Sequence, residues 1–297
     1  MGLIDIIKKL FFARPPASGV RTVEELATRL GLSVDELRAV KPTYRESTIP
    51  KLSGGGTRRI LAPEHGLKMI QKRILKRLLD RLKVHAAVCG FERGRSIVSN
   101  ANCHCGQAII LRMDLQNFFE STSAERVARY FEAIGWDSDA SQLLVRLCTY
   151  DRGLPQGAPT SPRLSNLVNF KLDTRLDGLA AKYGAVYTRY ADDLTFSFAN
   201  EAAAPAHAVI RATKAIVADV GYRLHQRRKL HIRRRHTRQL VTGLVVNEKV
   251  NLPRETRRWL RAVEHRLATG GKASITQQQL NGWNGLRAMI ANQAGSA

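Results

Sequence analysis

Apolar residues recur along much of this chain at the spacing of helices. Between residues 66 and 84 they return every three or four positions among many Lys and Arg residues, which predicts one amphipathic helix with a basic rim. Residues 22–40 show the same spacing, broken at Gly31, and Ser33 is positioned to cap a second short helix. Further helices are predicted over residues 124–135, 138–149, 161–182, 202–220, 253–267 and 275–291.

Other segments have the patterns of strands, and two of them lead to acidic residues. Residues 108–113 form an apolar run that suits a buried strand, and Asp114 follows where a strand can present a side chain to a cleft. The β-prone runs VYTRY and LTFSF flank residues 191–193 (Ala-Asp-Asp), which predicts a hairpin with two carboxylates at its turn. Glycines 54–56 predict another hairpin turn or a flexible loop.

The charge balance points to a polyanionic partner. The chain has 48 Lys and Arg residues against 25 Asp and Glu residues, a formal net charge of +23. Nucleic acid is the first expectation for such a folded chain, although a basic but otherwise ordinary soluble protein has the same balance. Residues 221–238 contain eight Lys or Arg residues and no acid, and we expect this basic run to contact nucleic acid.

The cysteines and the amino terminus indicate an intracellular protein. Cys103 and Cys105 flank His104, a spacing that differs from the usual C-x2-4-C of zinc sites, so reduced thiols fit better than a metal site. Residues 1–16 predict an amphipathic helix that is too short to span a bilayer. We therefore expect a soluble protein with no membrane partner.

Asp114, Asp192 and Asp193 are the candidate catalytic residues. Joining a nucleotide to a strand needs two divalent cations, one to lower the pKa of the attacking hydroxyl and one to stabilise the departing pyrophosphate. Mg²⁺ prefers carboxylate oxygen, and these carboxylates converge if their strands are neighbours. Each aspartate alone suits a turn or helix cap as well, and the residue types do not separate a nuclease from a polymerase.

Several motifs together resemble those of reverse transcriptases. Residues 190–193 (YADD) resemble the Y-x-D-D box, and residues 154–162 (LPQGAPTSP) resemble the L-P-Q-G-x-x-x-S-P loop that precedes it in that family. Asp114 is followed by two phenylalanines, as in the same family. Residues 100–104 (NANCH) and 241–243 (VTG) resemble the N-A-x-x-H and V-T-G elements of retron enzymes. The resemblance runs from about residue 44 to residue 252.

The resemblance implies an α+β right-hand polymerase fold, with fingers and palm of antiparallel sheet and helices and a small helical thumb. It implies an N-terminal helical extension over residues 1–43, fingers over 44–105 with a contribution from 138–165, a palm over 106–250 and a thumb over 251–297. No RNase H or endonuclease region is recognisable after residue 252, so RNA removal is expected to need a host enzyme.

The resemblance also implies roles for individual residues. Asp114, Asp192 and Asp193 would bind two Mg²⁺ ions, with the backbone carbonyl of Leu115 as an extra ligand. Phe119 matches the steric gate whose ring crowds a ribose 2′-hydroxyl, and the alternative for this residue is a core phenylalanine.

Further implied residues would contact the nucleotide or the RNA. Gln156 would line the nucleotide pocket, Arg59 would face the triphosphate, and Lys229 would neutralise charge near the pyrophosphate. The implied RNA- or template-binding residues are Arg58, Arg93, Arg95, Asn100, His104, Arg227, Arg228, Arg233, Arg234 and Arg235. Solvation is the alternative for the basic residues. A capping role is the alternative for Asn100, and a hydrogen-bonded structural role is the alternative for His104.

The implied function is a retron-type RNA-directed DNA polymerase of the bacterial cytoplasm. It would use deoxynucleoside triphosphates to copy part of a cognate structured noncoding RNA into single-stranded DNA. A branched RNA–DNA product, antiphage defence and an effector protein partner rest on the resemblance alone. The alternatives are an abortive-infection or diversity-generating reverse transcriptase and a catalytically idle RNA-binding scaffold.

Overall fold

The computed structural model describes residues 19–51, 56–225 and 230–293. The chain divides into two compact units. The first unit comprises Met1–His85 and Asn117–Lys171, and the second comprises Ala86–Gln116 and Leu172–Ala297. The amphipathic helix expected over residues 1–16 lies outside the described residues. The division into extension, fingers, palm and thumb stays a prediction.

The first unit begins with two short helices and a hairpin. Ser33 caps the second helix in a capping box with Glu36, as its position predicts. The hairpin pairs Tyr44 with Pro63 at one end and Pro50 with Thr57 at the other, which confirms the hairpin expected around glycines 54–56, although glycines 54 and 55 lie outside the described residues. The elements are α1 (Val23–Leu30), α2 (Val34–Ala39), β1 (Tyr44–Pro50) and β2 (Thr57–Pro63).

The prediction of one regular helix over residues 66–84 is wrong in its second half. Helix α3 (His65–Ile74) continues as a π-helical turn (Leu75–Leu79), in which the amide of Asp80 donates to the carbonyl of Leu75. Ile74 and Leu79, five positions apart, are both fully buried. The wider π-helical turn keeps the side chains of Ile74 and Leu79 on the core side of the helix. We infer that the burial of these two side chains is the physical cause of the π-helical turn.

The helix predicted over residues 161–182 is interrupted at Asn169. The buried Asn169 amide donates to the carbonyl of Ser165, and its oxygen accepts a bond from Arg126, so the side chain competes with regular helix hydrogen bonding. The remaining helices of this region are α5 (Ala124–Ala133), α6 (Ser138–Cys148), α7 (Ser161–Val168) and α8 (Phe170–Lys182). Helices α1–α3 and α5–α7 enclose the apolar core of the first unit.

A four-stranded antiparallel sheet forms the centre of the second unit, in the order β4-β5-β3-β6. Strands β3 and β5 are buried along almost their whole length, as the apolar run before Asp114 predicts. The strands are β3 (Ile109–Asp114), β4 (Ala185–Tyr190), β5 (Asp193–Phe198) and β6 (His231–Arg234).

The rest of the second unit packs around a second apolar core. Val98, Ile110, Val241, Leu260 and Leu280 of this core come from five different elements, which ties the C-terminal helices to the sheet and to the small hairpin β7–β8. The elements are α4 (Ile97–Asn102), α9 (Ala203–Asp219), β7 (Leu240–Val241), β8 (Leu244–Val245), α10 (Arg254–Ala268) and α11 (Gln277–Gln293). None of the described helices is long and apolar enough to cross a membrane.

Candidate active site

The candidate catalytic aspartates come together at one end of the sheet in the second unit. Asp114 ends β3 and Asp193 begins β5, and the two residues are direct partners in the antiparallel register. Asp192 precedes Asp193 in the turn of the β4–β5 hairpin, and its carbonyl accepts a hydrogen bond of 3.0 Å from the amide of Leu115. The pairing of β3 with β5 therefore gathers residues that are distant in the sequence, as predicted.

The turn between β4 and β5 has a strained backbone. Tyr190 pairs with Asp193, so Ala191 and Asp192 form a two-residue turn. Ala191 has a φ of 57°, in the left-handed region that non-glycine residues rarely occupy. Gly90 lies against this turn, because a Cβ atom added there would stand 2.7 Å from the amide nitrogen of Ala191.

Arg112 and His225 contact the carboxylates of Asp193 and Asp114. Arg112 Nη2 lies 3.2 and 3.3 Å from the two carboxylate oxygens of Asp193. His225 Nε2 lies 3.4 Å from Oδ1 of Asp114, and the amide of His225 donates to the carbonyl of Asp114 at 2.8 Å. The negative charge at the end of the sheet is thus partly balanced by residues of the same unit.

The donor set fits a divalent metal such as Mg²⁺. The paired strand ends place the carboxylates of Asp114 and Asp193 side by side, and a cation relieves the repulsion between these hard oxygen donors of like charge. Leu115, the proposed neutral carbonyl ligand, follows Asp114 in the chain. Among the described residues, no three His, Cys, Asp or Glu side chains are already grouped to hold a metal ion. In the free protein, the carboxylate of Asp193 contacts Arg112, and the carboxylate of Asp114 contacts His225.

Comparison with known proteins gives the family. The reverse transcriptase (RNA-dependent DNA polymerase) family matches residues 49–243. The chain is 36% identical to the retron Mx162 reverse transcriptase of Myxococcus xanthus, covering 88% of this chain and 62% of the relative. It is 35% identical to the retron Ec86 reverse transcriptase of Escherichia coli, covering 89% of this chain and 83% of the relative. The chain belongs to the reverse transcriptase family. Its curated relatives are bacterial retron enzymes, which confirms the resemblance carried by the motifs.

A solved structure supports the same fold. Telomerase from Candida albicans, in complex with the TWJ fragment of telomeric RNA, matches 79% of this chain and 51% of its own, with a TM-score of 0.51 and 11% identity. The expected α+β right-hand polymerase fold is thereby confirmed. The chain spans about two-thirds of the length of the two Myxococcus xanthus relatives, 62% and 66%.

Four of the predicted site residues lie in the first unit. Phe119 is half-buried, and its ring centroid is 5.4 Å from that of Phe118. The carbonyl of Gln156 accepts a hydrogen bond from the amide of Leu61 at 2.8 Å, which fixes the loop against β2. Arg58 is exposed, whereas Arg59 pairs with Glu46 and Asp151.

Asn100 and His104 are buried in the second unit. His104 is fully buried, and its two ring nitrogens lie 2.7 Å from the hydroxyls of Ser197 on β5 and Thr188 on β4. Burial lowers the pKa of His104 to about 3, so the ring is neutral. Asn100 is also inside the unit, 1% exposed. Burial and the two hydroxyl contacts favour the structural alternative for His104. The capping alternative for Asn100 is not supported, because Ser96 caps this helix and the buried Asn100 amide has no hydrogen-bond partner among the described residues.

The predicted basic residues have mixed surroundings. Arg93 is exposed, and Arg95 donates to the carbonyl of Ala86 at 2.6 Å. Arg234 donates to the carbonyl of Glu201 at 3.2 Å, and Arg235 is exposed. The predicted sites Arg227, Arg228 and Lys229 lie outside the described residues.

Arg233 lines a basic pocket of 330 Å³ in the second unit. The other charged or titratable residues of this pocket are Arg112, His231 and Arg238. Burial lowers the pKa of His231, and the neighbouring charges of Arg112 and Arg233 lower it further. The pocket is therefore suited to an anionic ligand.

Helix α10 has an arginine stripe that the apolar pattern did not single out. Arg254, Arg257, Arg258 and Arg261 are exposed, and their spacing of three or four positions places them on the side opposite the buried Leu260 and Val263. The two acids of the helix are engaged elsewhere, Glu255 with Arg238 and Glu264 with Arg287. The spacing of the arginines was the available signal for this surface.

Proposed function

We propose that this chain is a retron-type RNA-directed DNA polymerase that copies part of a structured noncoding RNA into single-stranded DNA. The observation that carries the proposal is the direct pairing of Asp114 with Asp193 at the end of β3 and β5, with Asp192 in the adjoining turn. The relatives' retron names support the choice of RNA as template.

Asp114, Asp192 and Asp193, with the carbonyl of Leu115, would hold two Mg²⁺ ions. Bound there, Mg²⁺ supplies Lewis acidity for the attacking 3′-hydroxyl and for the leaving pyrophosphate. The paired ends of β3 and β5 fix the spacing of the carboxylates. Arg112 balances the charge of the Asp193 carboxylate before metal and nucleotide bind, and so limits repulsion in the free protein.

The other predicted site residues would bind the substrates. Phe119 would restrict the sugar to deoxyribose, Gln156 would line the nucleotide pocket, and Arg59 and Lys229 would neutralise phosphate charge. Arg58, Arg93, Arg95 and the basic run that includes Arg233–Arg235 would hold the template backbone. The arginine stripe of α10 is a further surface for nucleic-acid phosphates, because its cations are exposed and regularly spaced.

The finer properties of a retron enzyme are part of the same proposal. The chain would act on its own cognate RNA, yield a branched RNA–DNA product and serve antiphage defence with an effector protein. The palm would comprise residues 106–250, which contain the whole four-stranded sheet.

Primer extension tests the proposed function. The purified protein is incubated with a DNA primer annealed to an RNA template, deoxynucleotides and Mg²⁺, beside a double Asp192→Asn, Asp193→Asn variant. We expect extension by the wild type only, and its loss when Mg²⁺ is chelated. A folded wild type that extends neither this primer nor its cognate RNA would favour the RNA-binding scaffold.

A further inference from the structure

A fully buried ion pair contacts the Ala191–Asp192 turn between β4 and β5. Arg189, on β4, and Asp173, on α8, are both 0% exposed. Nε of Arg189 donates to Oδ1 of Asp173 at 2.7 Å, and Nη2 donates to Oδ2 at 2.7 Å. This two-bond geometry fixes the plane of the guanidinium.

The third nitrogen of the same guanidinium is directed at the turn. Nη1 of Arg189 donates to the carbonyl of Ala191 at 3.2 Å. Ala191 is the residue with left-handed φ that immediately precedes Asp192. The ion pair therefore reaches the backbone that carries the two adjacent catalytic carboxylates.

The backbone of Arg189 is itself fixed on its other side. Its amide donates to the carbonyl of Ala87 at 2.9 Å, and its carbonyl accepts from the amide of Cys89 at 2.8 Å. The same segment brings Gly90 against Ala191. Arg189 is thus held by its main chain and by Asp173, and its Nη1 is directed at the turn through Ala191.

Tyr187 also contacts Asp173. Its hydroxyl donates to Oδ1 of Asp173 at 3.0 Å. Burial raises the pKa of Tyr187 well above its usual range, and the charge of Asp173 raises it further, so the phenol stays protonated and remains a donor. Asp173 consequently accepts hydrogen bonds from two side chains of β4, the first strand of the hairpin.

We propose that Asp173 and Arg189 are positioning residues that hold the Ala191–Asp192 turn in the strained conformation needed for metal binding. A left-handed alanine is unfavourable by itself and persists only where its surroundings over-determine it. Stability alone is a weak explanation for a buried ion pair, because apolar residues of similar size often replace such pairs without loss. The inference rests on the proposed function, since it concerns the geometry of the same site.

Two variants separate positioning from stability. The double variant Arg189→Met, Asp173→Leu replaces the pair with apolar side chains of similar size and removes the contact to Ala191. The single variant Arg189→Lys keeps the charge, but one ammonium group cannot replace the planar fork. The matched control is Arg175→Ala, which removes an exposed ion pair with Asp219 of the same length, 2.7 Å, in the same unit.

Hydrogen exchange of the free protein is the first readout, because it needs no activity. For both test variants we expect amides of residues 190–194 to exchange about tenfold faster or more, while those of β3 keep the wild-type rate. Uniformly faster exchange across the second unit, or wild-type exchange at the turn in a folded variant, would overturn the proposal. Arg175→Ala should match the wild type throughout.

Primer extension and metal binding are the second and third readouts. We expect kcat to fall about tenfold or more with little change in the KM for deoxynucleotide, and Mn²⁺ binding followed by electron paramagnetic resonance to weaken. Unchanged kcat and Mn²⁺ binding in the folded double variant would contradict the proposal. If the wild type itself extends no primer, the proposed function fails, whereas local exchange at the turn still decides the positioning role.

Discussion

Phe119 is the residue on which sugar selectivity should depend. It is half-buried beside Phe118. If the ring excludes a 2′-hydroxyl, Phe119→Leu and then Phe119→Ala should raise ribonucleotide incorporation in two steps, by about tenfold or more for alanine. Competition between a ribonucleotide and its deoxy counterpart measures this. Equal sugar selectivity in the wild type and in both variants would mean that Phe119 is a core residue and does not act as a steric gate.

His104 should make the stability of the protein depend on pH. Its pKa in the folded chain is about 3, against 6.5 for an ordinary histidine. The unfolded chain therefore takes up the proton first, and the free energy of unfolding falls as pH drops below about 6.5, by roughly 1.4 kcal/mol per pH unit for this one group.

Urea unfolding at pH 7 and pH 5 tests this dependence. The wild type should lose roughly 2 kcal/mol more than His104→Gln over that interval, because glutamine does not titrate. Carboxylate titration affects both proteins alike and cancels in the difference. Parallel losses would mean that the pKa of His104 is the same in the folded and the unfolded chain.

The identities of the three aspartates could be predicted from the sequence, but their neighbours could not. Aspartates in recognisable motifs carry their own signal, whereas Arg112 meets Asp193 across a strand pair, 81 positions away. Arg189 adjoins the Y-x-D-D box, yet its bond to Asp173 depends on how α8 packs against β4. Such contacts depend on register and packing, which a single sequence does not specify.

At the scale of elements, the segment before α4 packs against the Ala191–Asp192 turn at Gly90. A Cβ atom there would lie 2.7 Å from the amide nitrogen of Ala191 and 3.3 Å from the carbonyl carbon of Tyr190. We expect Gly90→Ala to displace the turn and lower kcat about tenfold or more while the protein stays folded. Gly178→Ala, in helix α8 with open space around it, should keep full activity and gain roughly 0.5–1 kcal/mol of stability.

Circular dichroism, thermal unfolding and primer extension on the two alanine variants give the comparison. Full activity of Gly90→Ala would show that the turn adapts, and would weaken the view that its conformation is tightly constrained.

The arginine stripe of α10 should contribute to the salt dependence of nucleic-acid binding. Each phosphate contact contributes about 0.9 to the slope of log K against log salt. Replacing Arg254, Arg258 and Arg261 with glutamine should therefore reduce that slope by about two to three. Fluorescence anisotropy of a labelled RNA–DNA duplex over a range of salt concentrations measures it.

The control for the stripe removes the same charge elsewhere. Arg29, Arg129 and Arg175 already pair with surface acids, so their joint replacement by glutamine should change the slope much less. An equal change in both triple variants would mean that net charge, rather than the stripe, governs binding.

Helix and strand positions were largely predictable, and the exceptions have local causes. Apolar spacing identified each of the longer helices and the strands around the aspartates. It did not predict the π-helical turn at Leu75–Leu79, because a run rich in Leu and Lys fits a regular helix equally well. The interruption at Asn169 depends on one amide bonding to Ser165, which periodicity does not report.

At the scale of the whole molecule, the excess of positive charge and the position of the acids are complementary. The chain carries +23 overall, yet Asp114, Asp192 and Asp193 lie together at one end of one sheet. A polyanion would be attracted over the surface generally, whereas the proposed metal-binding carboxylates are confined to the proposed site of reaction. The composition predicted the first property, and only the motifs predicted the second.

The most direct test of this account is the rate of RNA-templated DNA synthesis by Asp114→Asn as Mg²⁺ is varied. Asp219→Asn, a surface aspartate of the same unit that pairs with Arg175, is the matched control. We predict that the control keeps the wild-type rate and Mg²⁺ dependence, and that Asp114→Asn, folded, is slower by about a thousandfold or more at every Mg²⁺ concentration. A folded Asp114→Asn that extends the primer at a rate near that of the wild type would contradict the account.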